Sequence, residues 1–157
     1  MMNLFVGIGL FSLIVICGYK LSNKYKNKEM FYKSMLSFNR RLTSNVAFRR
    51  DELFTIYSLE YDCKEFSNML IHLKQNNNDD TNFLYPEYLS DEEVLDIKTY
   101  FAGIGMNDVQ TQLNILDDYS NIFQSKYETC RMESNRSGQL YRKLSFMVVL
   151  IAFIIVI

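Results

Sequence analysis

The side chains that could carry nucleophilic, metal-binding or redox chemistry are few in this chain and lie far apart. The cysteines are Cys17, Cys63 and Cys130, none of them in a CxxC pair, and His72 is the single histidine. A zinc site or a redox pair needs such residues at short spacing, so neither is predicted, and a cytosolic domain would keep the thiols reduced. An isolated histidine among polar residues is expected at a surface or an edge rather than as a ligand or base.

Nucleotide chemistry and carboxylate catalysis have equally little support. The run at residues 103–105 lacks the third glycine and the preceding strand of a dinucleotide-binding loop, and the chain has no Walker sequence. Adjacent acids occur at residues 79–80, 92–93 and 117–118, but neighbouring side chains on a helix point in different directions. A solvated surface explains these pairs better than acid–base catalysis does. We therefore predict a protein that is not an enzyme and that takes no cofactor, no metal and no small-molecule substrate.

The charged residues are strongly segregated along the chain. Residues 20–50 contain nine Lys or Arg and one acid, residues 51–118 contain fifteen acids and three bases, and residues 119–143 contain five bases and two acids. Nucleic-acid binding is not predicted, because the basic residues cluster beside two apolar ends and the middle of the chain is acidic. Solvation is the simplest explanation of the acidic segment, and a docking face for a basic partner is the alternative. The candidate residues of such a face are Asp91, Glu92, Asp117 and Asp118.

Two apolar runs bracket the charged middle of the chain. Residues 1–19 contain no charge, and residues 144–157 are apolar at all but one position. At about 1.5 Å per residue the first run spans roughly 28 Å, and the second reaches roughly 27 Å if it starts at Leu140, against a hydrocarbon core of about 30 Å. We therefore predict transmembrane helices at 1–20 and 140–157, with a helical domain between them at 21–139.

The charges beside these runs predict the topology. Basic residues follow the first run at Lys20, Lys24, Lys26 and Lys28 and precede the second at Arg136, Arg142 and Lys143. A cleaved signal peptide would carry its basic residues before the apolar stretch, and an interfacial helix would keep a polar face, so both alternatives are disfavoured. By the positive-inside rule, the domain is predicted on the cytoplasmic side of the cell membrane, with its basic ends near anionic headgroups.

Between the apolar runs, hydrophobic residues recur with helical periodicity, and no strand-like alternation is present. The first stripe consists of Phe31, Met35, Phe38, Leu42 and Val46. Shorter helices are predicted at 51–60 and 62–75, and the Asn- and Asp-rich segment 75–86 is predicted to be a loop. The apolar face of the second short helix consists of Cys63, Phe66, Leu70 and Leu73. The predicted fold class is all-α, a small helical bundle between an N-terminal and a C-terminal transmembrane helix.

Capping signals mark the last two helices. Ser90 and Glu93 have the spacing of a capping box, and Gly103 and Gly105 are predicted to end the helix that follows. Asn107 is the predicted cap of the last helix, which is expected to run to the end of the chain. Its apolar stripe consists of Val109, Leu113, Leu116, Phe123, Tyr127 and Cys130. The first and last long helices are expected to pair antiparallel, with Phe38 and Leu42 against Leu116 and Phe123.

The turn between these last two helices is the second candidate site. Gly105 is expected to need a positive φ, and the charge of Asp108 favours the start of the following helix. Because this turn sets the direction of the last helix, Gly105 and Asp108 are candidate partner-facing residues. A role in stability alone is an equal alternative.

Two segments of the C-terminal third match family motifs. In the first, IGMNDVQTQL at residues 104–113, the positions Gly105, Asp108 and Gln112 match a leucine-glycine, serine-aspartate, acid, glutamine run. The second segment is GQLYRKLSFMVVLIAFIIVI at residues 138–157. Its positions Tyr141, Arg142 and Leu144 match the start of a terminal span that the family writes as tyrosine, a basic residue and then serine-leucine-glycine. Lys143 and Ser145 depart from that motif. Through these motifs, over roughly its last 55 residues, the chain resembles the stage III sporulation protein AB family of endospore-forming bacteria.

The resemblance implies a cytoplasmic helical domain similar to the platform proteins of type II secretion and type IV pilus machines. It implies a scaffold in the complex that links mother cell and forespore. The implied partners are a secretion-type ATPase, stage III sporulation protein AA, and the neighbouring stage III sporulation membrane proteins, besides membrane lipid. Two alternatives stay open, a platform subunit of a secretion or pilus system and a membrane-tethered adaptor unrelated to sporulation. A membrane enzyme is disfavoured by the missing catalytic set.

Overall fold

The computed structural model describes the backbone of residues 23–44, 53–76, 83–106 and 108–156, and the side chains of these residues except 53–54, 141–142, 145–146 and 148–156. Helix α1 covers residues 23–44. It is followed by α2 (Leu53–Tyr57), α3 (Lys64–Gln75), α4 (Asp91–Gly103) and α5 (Val109–Val156). The described ranges contain no strand, which confirms the predicted all-helical fold.

The predicted membrane spans are not confirmed. Among the described residues, no helix combines the length and the apolarity needed to cross a bilayer. The first predicted span, at 1–20, lies outside the described residues, as do Val46 and Asn107. The backbone of the second, at 140–157, continues α5 without a break as far as Val156. Both spans and the domain boundaries drawn from them stay predictions.

Helices α1 and α5 pack antiparallel, as expected from the sequence. The side-chain amide of Asn39 donates to the backbone carbonyl of Leu116 at 2.8 Å, and seven residues away on both helices the rings of Tyr32 and Phe123 lie 6.4 Å apart. Seven residues are about two helical turns, so both contacts lie on one face of each helix. We call the end of the bundle at residues 23–28 and 130–140 the proximal end. The α4–α5 turn lies at the opposite, distal end.

An aromatic cluster joins α1 to the shorter helices. The side chain of Phe38 is fully buried, and five ring centroids lie 5.5–6.4 Å from its own: those of Tyr57, Tyr61, Phe66, Tyr100 and Phe101. Such ring pairs stabilise by about 0.5–1.5 kcal/mol each beyond the burial of area. Phe38 and Leu42 share one buried cluster with Leu116 and Phe123. The contacts of α1 with α5 given above are nevertheless made by Tyr32 and Asn39, because Phe38 faces the rings of α2, α3 and α4.

Helix α3 uses the apolar face predicted for it. Cys63, Phe66, Leu70 and Leu73 are all buried. The helix begins one residue after Cys63, whose backbone is extended and whose N–H donates to the Ser34 hydroxyl of α1 at 3.2 Å. A first-turn N–H, which no intrahelical partner can satisfy, is thus satisfied by the neighbouring helix. Both α2 and α3 are shorter than the segments predicted for them.

Candidate functional site

The start of α4 is held by a capping box, as predicted. The Ser90 hydroxyl accepts from the Glu93 N–H at 3.4 Å, and the Glu93 carboxylate accepts from the Ser90 N–H at 2.9 Å. The same carboxylate oxygen lies 2.6 Å from the ammonium of Lys28 on α1. The capping box therefore also ties α4 to the proximal end of α1, a role that the local spacing of Ser90 and Glu93 does not reveal.

The Lys28–Glu93 pair is largely withdrawn from water. The side chains of Lys28 and Glu93 are 18 % and 8 % exposed. Burial by itself raises the pKa of Glu93, but the hydrogen bonds from Lys28, from the Ser90 backbone and from the Tyr32 hydroxyl outweigh burial, and the pKa lies below its ordinary value. The Glu93 carboxylate is thus committed to fixed donors. This arrangement suits a structural tie, because the Glu93 carboxylate is not free to act as a base.

The turn between α4 and α5 contains the glycine conformation expected from the sequence. Helix α4 ends at Gly103, and Gly105 has a φ of 80°. The Gly105 N–H donates to the side-chain oxygen of Gln112 at 3.0 Å, and Gln112 is buried. Residues with a side chain rarely adopt this φ, so a glycine is required for the backbone and not for lack of space.

Asp108 caps α5, whereas the predicted cap Asn107 lies outside the described residues. One oxygen of the Asp108 carboxylate accepts from the backbone N–H groups of Gln110 and Thr111, each at 3.1 Å. These bonds, above all those to Thr111, lower the pKa of Asp108. Val109, predicted on the apolar stripe, is 48 % exposed because it opens the helix at this turn. The inward position at the start of α5 belongs to Gln112. The three turn residues that carry the family resemblance, Gly105, Asp108 and Gln112, therefore all take part in the hydrogen bonds that form the turn.

The four acidic candidates are exposed and lie in two groups. Asp91 and Glu92 occupy the first turn of α4, next to the Lys28–Glu93 pair. Asp117 and Asp118 lie on α5 beside Tyr119, whose ring is 4.9 Å from that of Tyr100 near the other end of α4. Eight residues of helix separate Glu92 from Tyr100, which is about 12 Å. A surface formed by all four acids is therefore elongated, and their role in partner binding stays a prediction.

A buried polar link between three helices was not recognised from the sequence. Asn39 is 1 % exposed although it falls off the apolar stripe of α1. Its side-chain nitrogen donates to the Leu116 carbonyl of α5, and its side-chain oxygen accepts from the Tyr100 hydroxyl of α4 at 2.8 Å. Asn39 thus joins α1, α4 and α5 at one point. The partners are 77 and 61 residues away in the chain, so periodicity along α1 could not have revealed them.

The thiols and the histidine do not converge on a reactive centre. Cys63 and Cys130 are buried and unpaired, and burial raises the pKa of both thiols. His72 is half-buried against Phe83, with ring centroids 5.4 Å apart. In the part of the chain that the structure describes, no group of three His, Cys, Asp or Glu side chains is placed to hold a metal ion. An open cleft of about 220 Å³ beside Cys63 is bordered by Asn27 and Met30.

Comparison of the chain with protein-family models, with curated proteins and with solved structures finds no match.

Proposed function

We propose that this chain is a non-enzymatic, membrane-anchored assembly subunit of the sporulation secretion-like complex between mother cell and forespore. The observation that carries the proposal is the antiparallel packing of α1 and α5. Because the two helices run in opposite directions, the start of α1 and the C-terminal half of α5 lie together at the proximal end. Anchors formed by residues 1–20 and 140–157 would then enter the same bilayer, as two anchors of a cytoplasmic domain require.

The charge of the proximal end agrees with this orientation. Lys24, Lys26 and Arg136 are exposed there. Basic residues beside membrane spans favour the cytoplasmic side, where anionic headgroups attract them. The distal end, with the Gly105–Asp108 turn and the exposed pair Asp117 and Asp118, then points into the cytoplasm. A cytoplasmic partner can reach this end without approaching the bilayer.

The proposed partners are those that the resemblance implies, the ATPase stage III sporulation protein AA and the neighbouring membrane proteins. Support comes from the resemblance itself, since three of its positions form one turn at the distal end. The direct test is recovery of the ATPase with tagged full-length protein from membranes of sporulating cells. Failure to recover it from correctly inserted protein would leave the membrane-tethered adaptor as the better explanation.

Topology is tested by cysteine labelling of intact cells. The Asn68 side chain is exposed on α3, whereas Cys63 and Cys130 are buried, so Asn68→Cys introduces the one accessible thiol in the described domain. We expect no reaction with a membrane-impermeant reagent until the cells are opened. Reaction in intact cells, compared with the wild-type chain as background, would place the domain outside and contradict the proposal.

The acidic docking hypothesis has its own test. The hypothesis is that a basic face of the ATPase docks on Asp91, Glu92, Asp117 and Asp118. Changing these acids to Asn or Gln should then weaken binding of the ATPase. Added salt should weaken binding by the wild type in the same way, since exposed charges are screened within about 8 Å at physiological ionic strength. Glu60→Gln, a change at an exposed acid between α2 and α3, is the control. Salt-independent binding that the four changes leave intact would remove the electrostatic hypothesis and leave only solvation.

A further inference from the structure

Four cations at the proximal end are exposed to solvent. Lys24 and Lys26 are exposed on α1, and Arg131 and Arg136 are exposed on α5. Within the described residues, the ion pairs are Lys28–Glu93 and Lys33–Asp62, so none of these four takes part in one. Unpaired exposed cations at one end of a bundle form a surface for an anionic partner.

The packing of α1 on α5 sets three of these four cations, Lys24, Lys26 and Arg131, at similar height. Tyr32 of α1 packs against Phe123 of α5. One seven-residue step closer to the proximal end on each helix, Tyr25 is therefore level with Cys130. Lys24 and Lys26 flank Tyr25 in the chain, and Arg131 follows Cys130 directly. Arg136 lies five residues further along α5, about 8 Å closer to the proximal tip. The cations therefore form one band around both helices, which we call the basic band.

The acids in the same stretch leave the band positive. The acids there are Glu29 and Glu133, both half-buried, and Glu128, which is exposed, so four cations against three acids leave a net charge of +1. Asp91 and Glu92, at the start of α4, lie on the distal side of the band, next to the Lys28–Glu93 pair. An anionic surface at the proximal end would attract the band and repel these two acids, which would orient the domain with its distal end away from that surface.

The geometry points to anionic phospholipid headgroups as the ligand of the basic band, an inference that rests on the proposed membrane anchoring. Two arguments select this partner. Residue 23, where the described chain begins, and the C-terminal half of α5 both lie at the end that carries the band. Anchors at 1–20 and 140–157 would therefore bring headgroup phosphates within reach of Lys24, Lys26, Arg131 and Arg136. Lysine and arginine bind phosphate oxygens through charge-assisted hydrogen bonds that do not depend on a preformed pocket.

The test uses full-length protein in zwitterionic micelles and two fluorescent short-chain lipids, phosphatidylglycerol and phosphatidylcholine, with binding followed by anisotropy. We expect the wild type to bind phosphatidylglycerol more tightly, and salt to weaken that binding. In Lys24→Gln/Lys26→Gln the Kd for phosphatidylglycerol should rise toward the Kd for phosphatidylcholine, because two of the four cations that attract the anionic headgroup are removed. The matched control is Arg40→Gln/Lys74→Gln, which removes two exposed cations away from the band. Its Kd should stay within about twofold of the wild type, since exposed charges this distant are largely screened.

The possible outcomes separate this inference from the proposal on which it rests. Equal binding of the two lipids by the wild type, or equal weakening in the two double variants, would overturn the basic band as a headgroup site. Extraction of the wild-type protein from cell membranes by alkaline carbonate would instead overturn membrane anchoring itself. A chain that resists extraction but shows no preference for phosphatidylglycerol keeps the proposed function and loses only the lipid site.

Discussion

Removing the Lys28 ammonium while keeping the Glu93 carboxylate is the perturbation whose cost the structure defines best. Lys28→Met keeps an unbranched side chain and leaves Glu93, whose side chain is 8 % exposed, without its cation. Breaking a buried ion pair from one side costs about 3–5 kcal/mol. Because the Ser90 N–H and hydroxyl still donate to Glu93, at 2.9 and 3.1 Å, we expect a loss of unfolding free energy near the lower end, about 3 kcal/mol.

The matched control is the double variant Lys28→Met/Glu93→Gln. Glutamine has the size of glutamate and keeps an oxygen acceptor for Ser90, but it carries no charge to be stranded. The double variant should therefore be more stable than Lys28→Met, by about 1–2 kcal/mol. Urea unfolding of the full-length chain in one detergent, followed by helical circular dichroism, measures both values. Equal losses in the two variants would refute the argument, because Lys28 would then not be compensating the charge of Glu93.

The same pair predicts how stability depends on pH. The pKa of Glu93 in the folded chain lies below its ordinary value of 4.5, so folding favours the ionised form. The contribution of the ionised Glu93 carboxylate to the unfolding free energy is fully present above about pH 4.5. It is lost as the pH falls through the lower pKa that Glu93 has in the folded chain. Urea midpoints measured across this interval should fall more steeply for the wild type than for Glu93→Gln. Parallel pH profiles would contradict the assignment.

Three further substitutions and one control variant probe the fold. Leu116→Asp puts an unpaired charge at a fully buried position of α5. The change should cost on the order of 3–5 kcal/mol, which is enough to unfold a marginal domain. An unchanged thermal midpoint would show that the packing of Leu116 against α1 is misassigned. Gly105→Ala places a side chain at a φ of 80° and should lower the unfolding free energy by about 1 kcal/mol. Gly103→Ala is its control, because an added Cβ meets nothing within 4 Å at either glycine, and it should stabilise α4 by about 0.5–1 kcal/mol. Equal effects of the two changes on the urea midpoint would refute the backbone argument. Tyr100→Phe removes the hydroxyl that donates to the buried Asn39 oxygen and should cost about 1–3 kcal/mol, and a loss under about 0.5 kcal/mol would mean that Asn39 does not depend on it.

The features predicted correctly from the sequence depend on neighbours along the chain. The capping box of Ser90 and Glu93 and the positive φ of Gly105 are set within a few residues, and the apolar face of α3 follows from the helical repeat. Such local preferences can be read from spacing. The capping role of Asp108 could not be assigned this way, because the adjacent Asn107 is also a residue type that caps helices well.

The features missed are those in which distant parts of the chain meet. Asn39 lies off the apolar stripe that periodicity predicts for α1, yet its partners Tyr100 and Leu116 lie on two other helices. Lys28 was explained by topology alone, although it also neutralises Glu93, 65 residues further on. A buried polar residue and an exposed one look alike in a single sequence, since only the folded partner makes burial tolerable.

The hydrogen bonds of Asn39 restrict how the two long helices can move. A slide of α5 by one seven-residue step would set the Asn39 amide against Phe123 and strand its polar atoms in an apolar seam, which costs about 1–3 kcal/mol for each unpaired group. Piston-like travel between α1 and α5 is therefore disfavoured, and tilting of the pair as one rod is the motion left. Helix α5 is 48 residues long, about 72 Å at 1.5 Å per residue. A tilt of about 5° at one end of such a lever displaces the other end by roughly 6 Å.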